Sequence, residues 1–94
     1  MPLSPLSGAE LSSRLASTPS WQNQNGELVR TFEFSDFRAS LAFVNRVGDL
    51  AEAAGHHPDI DIRYNKVRLA LVTHDAGGLT TKDFDLAAKI NQAA

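Results

Sequence analysis

The stretch HHPDIDIRYNKVRLALVTH, His56 to His74, decides how the fold is read. After Pro58 its residues alternate, with Ile60, Ile62 and Tyr64 facing one way and Asp59, Asp61 and Arg63 the other. A two-residue period of this kind belongs to a half-buried strand. Asn65-Lys66 turns the chain, and a second strand puts Val67, Leu69, Leu71 and Thr73 inward before ending at His74. Strands joined by so short a turn pair antiparallel, so the start of one lies beside the end of the other. The pairing therefore gathers His56, His57 and His74, all the histidines of the chain, at one edge of the sheet.

Upstream the pattern repeats. Asn25-Gly26 favours a type I′ turn, in which both central residues need positive φ. It joins a short strand, Trp21 to Gln24, to a longer one, Glu27 to Phe34. In the longer strand Leu28, Arg30, Phe32 and Phe34 share one face, and Val29, Thr31 and Glu33 the other. Between the hairpins, Ser35 or Asp36 caps a helix running to about Ala54, with Gly55 just beyond its end. This helix has two apolar stripes, Phe37, Leu41, Val44 and Ala51 on one and Phe43, Val47, Leu50 and Ala54 on the other. One buried face needs only one stripe. Either the helix is packed deeply in its own domain, or the second stripe, on residues 43–54, meets another subunit.

Working outward again, Ser7 with Glu10 makes a capping box for a first helix over residues 8–17, which Thr18-Pro19 ends. Met1 to Pro5, with Pro2 and Pro5, reads as a loose lead-in. Asp75 to Gly78 forms a glycine-rich loop, and Thr80 with Asp83 caps a last helix carrying Phe84, Ala87 and Ile90. The order is α-β-β-α-β-β-α. It predicts an α+β domain spanning residues 1–94, a four-stranded antiparallel sheet with helices packed on one face. The opposite face is left to solvent or to a partner.

Composition narrows the function. The formal charge of −2 comes from nine Lys/Arg against eleven Asp/Glu, and no two basic residues are adjacent, which argues against a nucleic-acid footprint. There is no cysteine, so thiolate chemistry and cysteine-based zinc sites are excluded. No apolar run approaches the ~20 residues of a membrane span, and Glu10 and Arg14 interrupt any signal-like start. The expected compartment is the cytoplasm. A chain of 94 residues buries only about 60–65% of its unfolded surface, which makes oligomerisation a natural source of further burial.

Clustered imidazoles titrate near neutrality and can supply both a proton donor and a proton acceptor. Each well-placed group of that kind is worth about 10²–10⁴-fold in rate. The alternatives are a three-histidine metal site and surface histidines that merely cap loops. Adjacent histidines in an extended loop point to opposite sides, and no carboxylate sits at a familiar ligand spacing, so no metal is expected.

The spacing Glu52, three residues, His56-His57-Pro58, five residues, Tyr64, nine residues, His74, eight residues, Asp83 resembles the signature of the pterin-4a-carbinolamine dehydratases, and spans 32 residues of the 94. The resemblance implies an enzyme that eliminates water from a 4a-hydroxytetrahydropterin, recycling the pterin cofactor of aromatic amino acid hydroxylases. It implies no bound cofactor, a small-molecule pterin substrate, and a homodimer or homotetramer. It also implies that His56 and His74 form the acid/base pair, with His57 holding substrate and sharing in proton transfer. Thr73 and Asp75 are similar to residues that contact the pterin ring, and Trp21 resembles a tryptophan of the family that either lines the pocket or packs in the core. Glu52, Pro58, Tyr64 and Asp83 are expected in structural or orienting roles: Glu52 in local hydrogen bonds, Tyr64 in core or hairpin packing, Asp83 in the capping box. Gly55 departs from relatives that carry an acidic residue there. The same fold also includes binding modules, a dimerisation cofactor and carboxylase assembly chaperones among them. The chaperones lack the histidine set that this chain retains.

Overall fold

In the computed structural model, which describes residues 4–94, the chain runs α1 (Gly8–Ala16), β1 (Gln22–Gln24), β2 (Glu27–Glu33), α2 (Phe37–Ala54), β3 (Asp59–Arg63), β4 (Lys66–Leu71), a short 3-10 turn (His74–Ala76) and α3 (Thr81–Ala93). The sheet order is β1-β2-β4-β3, with every neighbouring pair antiparallel. This is the α+β architecture expected from the sequence.

Register explains which face is buried. Leu28 lies opposite Leu71 and Phe32 opposite Val67, and these side chains pack with Phe43 and Val47 of α2 and Phe84, Leu86, Ala87 and Ile90 of α3. Each such residue contributes about 1.5–3 kcal/mol on burial. Phe32 and Phe43 meet with ring centroids 4.7 Å apart. On the outer face Thr31 opposes Arg68 and Glu33 opposes Lys66, all exposed.

The capping signals act as read. Ser7 and Glu10 close a capping box on α1, and Asp36 caps α2 by accepting from the Ala39 N–H at 2.8 Å. Asn25 and Gly26 have φ of 53° and 84°, as a type I′ turn requires.

Four expectations need correction. The second hairpin turns at Tyr64-Asn65, one residue early, because Arg63 pairs with Lys66. Asn65 is held to the end of β2, its side-chain amide donating to the Phe34 carbonyl at 3.0 Å and its own carbonyl accepting from the Phe34 N–H at 2.8 Å. Tyr64 is left at the turn with φ of 54° and 66% exposed, so it is not core packing.

The buried face of α2 also follows neither stripe as a whole, and the alternative in which the second stripe meets another subunit falls. Ser40, Phe43, Val47 and Ala51 are the buried face, whereas Phe37 and Leu41 are 47% and 40% exposed. Val47 is wholly enclosed by its own chain and cannot meet another subunit. Ser40 takes a core position because its hydroxyl donates to the Asp36 carbonyl at 3.1 Å, leaving no unsatisfied polar atom.

Strand β4 ends at Leu71 and not at His74; Thr73 instead makes an isolated bridge to Gly78. Finally, the lead-in is anchored where it is described. Leu6 donates to the Leu79 carbonyl at 2.8 Å, and Pro5 lies so close to Gly78 that a Cβ there would sit 3.2 Å from the Pro5 Cβ. Pro2 lies outside the described residues.

Candidate active site

The site is assembled where α2 ends, where β4 ends and where α3 begins. Gly55 takes φ of 62°, the left-handed conformation that glycine adopts most readily. Its N–H bonds the Glu52 carbonyl at 3.3 Å and the His56 N–H bonds the Ala51 carbonyl at 3.1 Å, the paired bonds of a Schellman ending. This accounts for a glycine at the end of α2, and it fixes the direction in which the backbone leaves the helix at His56 and His57.

At the other side, the bridge between Thr73 and Gly78 pinches off a small loop. Within it His74 opens a single 3-10 turn that closes at Gly77, whose φ is 76°. His74 and Asp75, the first two residues of the turn, are both exposed. His56, His57, Thr73, His74, Asp75 and Lys82 line one cleft of about 260 Å³.

Asp83 organises the floor of this cleft. It is fully buried, and its Oδ2 accepts from the Thr73 hydroxyl at 2.8 Å and the Thr80 N–H at 2.9 Å. With its one proton given to Asp83, the Thr73 hydroxyl accepts in turn from Thr80, 2.8 Å away. The remaining oxygen, Oδ1, lies 2.6 Å from His56 Nε2. A carboxylate can only accept, so opposite the carboxylate form of Asp83 the His56 Nε2 is the donor of this bond. The Nδ1 of the same ring makes no hydrogen bond among the described residues. His56 is 12% exposed at its side chain against 0% for Asp83, so the pair is the inner half of the site.

His57 repeats the arrangement at the surface. Its Nε2 bonds Glu52, the residue one helical turn before the end of α2, and both side chains are well exposed. His74 makes no side-chain hydrogen bond among the described residues. Two imidazoles are thus oriented through Nε2 by carboxylates, and the third is free to turn.

The remaining expected residues divide. Asp83 does hold the capping box, and Glu52 does bond locally; both also orient a histidine. Pro58 is half-buried at the entrance to β3. The Thr73 hydroxyl is committed to the buried network, although the residue lines the cleft. Trp21 does not line the cleft: it is 2% exposed, packs edge-on against Phe32 at 6.0 Å, and donates from Nε1 to Asn91 Oδ1 at 2.8 Å. Of its two expected places, pocket and core, it occupies the core, so its expected substrate-binding role is corrected. Lys82 was not singled out in the sequence, because a lysine in the first turn of a helix looks like any solvated residue. Among the described residues no group of three or more histidine, cysteine or acidic side chains is arranged to hold a metal ion. Nor, among them, is any helix long and apolar enough to cross a membrane.

Fold and site together define a small α+β protein with a carboxylate-oriented histidine cleft, the class of the pterin dehydratases. The model of the pterin 4 alpha carbinolamine dehydratase family matches residues 4–93. A Chloroflexus aurantiacus protein named "Putative pterin-4-alpha-carbinolamine dehydratase" is 64% identical over 87 residues, 93% of this chain and 94% of that protein. A protein of the same name from Acidobacterium capsulatum is 70% identical over 77 residues, 82% and 84% of the two chains. Among solved structures, a transcriptional coactivator/pterin dehydratase from Brucella melitensis superposes with a TM-score of 0.91 at 32% identity, covering 96% of this chain and 98% of that one. A pterin dehydratase-like protein identified as a RuBisCO assembly factor in the alpha-carboxysome superposes with a TM-score of 0.65 at 27% identity, over 79% of this chain and 86% of that one. The chain belongs to the pterin 4 alpha carbinolamine dehydratase family.

Proposed function

We propose that this chain is a cytoplasmic dehydratase that eliminates water from a 4a-hydroxytetrahydropterin to give the quinonoid dihydropterin, so recycling the cofactor of an aromatic amino acid hydroxylase. The observation that carries this reading is the opening of His56, His57 and His74 onto one cleft, with His56 and His57 each held through Nε2 by a carboxylate. The C4a hydroxyl leaves as water once it is protonated. The N5 lone pair forms the C4a=N5 bond as the C4a–O bond breaks, and the N5 proton passes to a base. The step is redox-neutral and returns as many protons as it takes.

His56 and His74 are the acid/base pair, His56 acting through Nδ1. His57 holds the pterin and shares in proton transfer, and Asp75 hydrogen-bonds the aminopyrimidine edge. Such groups are worth about 10²–10⁴-fold each. Stopped-flow decay of 4a-hydroxytetrahydropterin tests the proposal. Wild type accelerates the decay, His56→Ala and His74→Ala each lose most of the effect, and the double variant loses nearly all. Unchanged rates in both single variants would overturn the assignment.

The assembly that fits is a homodimer or homotetramer. Phe37 and Leu41, exposed on α2, support a contact there, and light scattering of Leu41→Glu tests it by showing a smaller particle. A second reading, a non-catalytic binding or dimerisation module, draws support from the two solved relatives described as a coactivator and an assembly factor. Absence of any acceleration by wild type would favour it.

A further inference from the structure

Two depressions meet at His56. The histidine cleft lies on one side, and on the other Ala54, Asp85, Leu86 and Lys89 border a second depression of about 190 Å³; His56 and Lys82 line both. Lys82 and Lys89 are seven residues apart on α3, so their side chains leave one face about two turns, or ~10.5 Å, apart. Both are exposed, and among the described residues neither ammonium lies within salt-bridge distance of a carboxylate, Asp85 included. The lining thus carries two exposed ammonium groups against one exposed carboxylate, while the Asp83 carboxylate behind His56 is fully buried and taken up by its own donors.

The proposed reaction fixes what would enter it. If His56 works at the C4a–N5 edge of the pterin, the substituent on C6, which is bonded to N5, leaves the ring on the side where His56 stands. Lys82 and Lys89 line the second depression, which His56 also borders. We propose, resting on the dehydratase reading, that the second depression is a subsite for an anionic group on the C6 substituent, such as a phosphate monoester. Lys82 receives the chain at the border and Lys89 receives the charge at the far end. Because both ammoniums are in contact with water, the preference they confer is modest and sensitive to salt, about three- to tenfold.

The test uses the full chain and two 4a-hydroxytetrahydropterins whose C6 propyl chains end in a phosphate or in a hydroxyl. At low ionic strength wild type has a kcat/KM about three- to tenfold higher for the phosphate, mainly through KM, and the ratio approaches one at high salt. Lys89→Glu takes the ratio to one or below, whereas Lys66→Glu, the same charge change on the outer face of the sheet, leaves it at the wild-type value. Equal kcat/KM values for the two substrates with wild type, or an unaltered ratio in Lys89→Glu, would overturn the subsite while leaving the dehydratase reading intact. Failure of both substrates to react would overturn the dehydratase reading and the subsite with it.

Discussion

Helix α3 carries a buried or half-buried oxygen acceptor near each end, and the two are used differently. In its first turn, Asp83 accepts from Thr73, Thr80 and His56. In its last turn, Asn91 Oδ1 accepts from Trp21 Nε1 at 2.8 Å and from one guanidinium nitrogen of Arg30 at 2.6 Å. Arg30 also lies over the Phe32 ring at 4.1 Å, and its burial lowers its pKa from the ordinary arginine value. The first ties the helix to the loops after α2 and β4 and the second ties it to β2, and no buried polar side-chain atom is left without a partner among the described residues. Only the first ends on an imidazole, a ring with a second nitrogen, and that imidazole lines the open cleft. A buried polar network gains chemistry when one member can change its protonation without breaking the bond that holds it.

The largest expected effect would break this comparison most directly. His56→Ala should slow dehydration about 10²-fold or more, whereas Asn91→Ala should leave the rate per folded molecule essentially unchanged. Equal losses from the two would show that the ends of α3 are equivalent and that the effect is structural.

Asp83→Ala comes next, with two readouts. Removing it leaves the Thr73 hydroxyl, the Thr80 N–H and His56 Nε2 without their acceptor. Urea titration should show a loss of about 2–3 kcal/mol, and kcat should fall as His56 loses its tautomer and orientation. Asn91→Ala should cost about 1–3 kcal/mol of stability alone, since it strands the Trp21 N–H and one side of Arg30. The smallest effect belongs to Glu52→Gln. Its bond to His57 is exposed, so stability should change by less than about 0.5 kcal/mol, with a decrease in activity well short of that for Asp83→Ala.

Much of this was legible along the chain because the relevant physics is local. Alternation from Asp59 to Arg63, the Asn25-Gly26 turn and the capping residues Ser7, Asp36 and Thr80 act over a few residues, and each produced the element expected of it. The convergence of the histidines was legible too, since antiparallel pairing alone brings the two ends of the hairpin together. Less legible was anything that depends on a partner far away in sequence. Ser40 reads as polar yet sits in the core, and the choice between pocket and core for Trp21 is settled by Asn91, 70 residues on. Tyr64 was expected to pack because it continued the alternation, but the hold of Asn65 on Phe34 moved the turn onto it.

The sequence by itself determined the order of elements, the hairpin that gathers His56, His57 and His74, and the family to which that spacing belongs. The tertiary structure alone decided which face of α2 is buried, which nitrogen of His56 is held by Asp83, and that Lys82 and Lys89 border a second depression beside it. The division follows from range. Periodicity, turns and caps are set by neighbours a few residues apart, whereas the tautomer of an imidazole or the burial of a helix face depends on groups that only folding brings into contact.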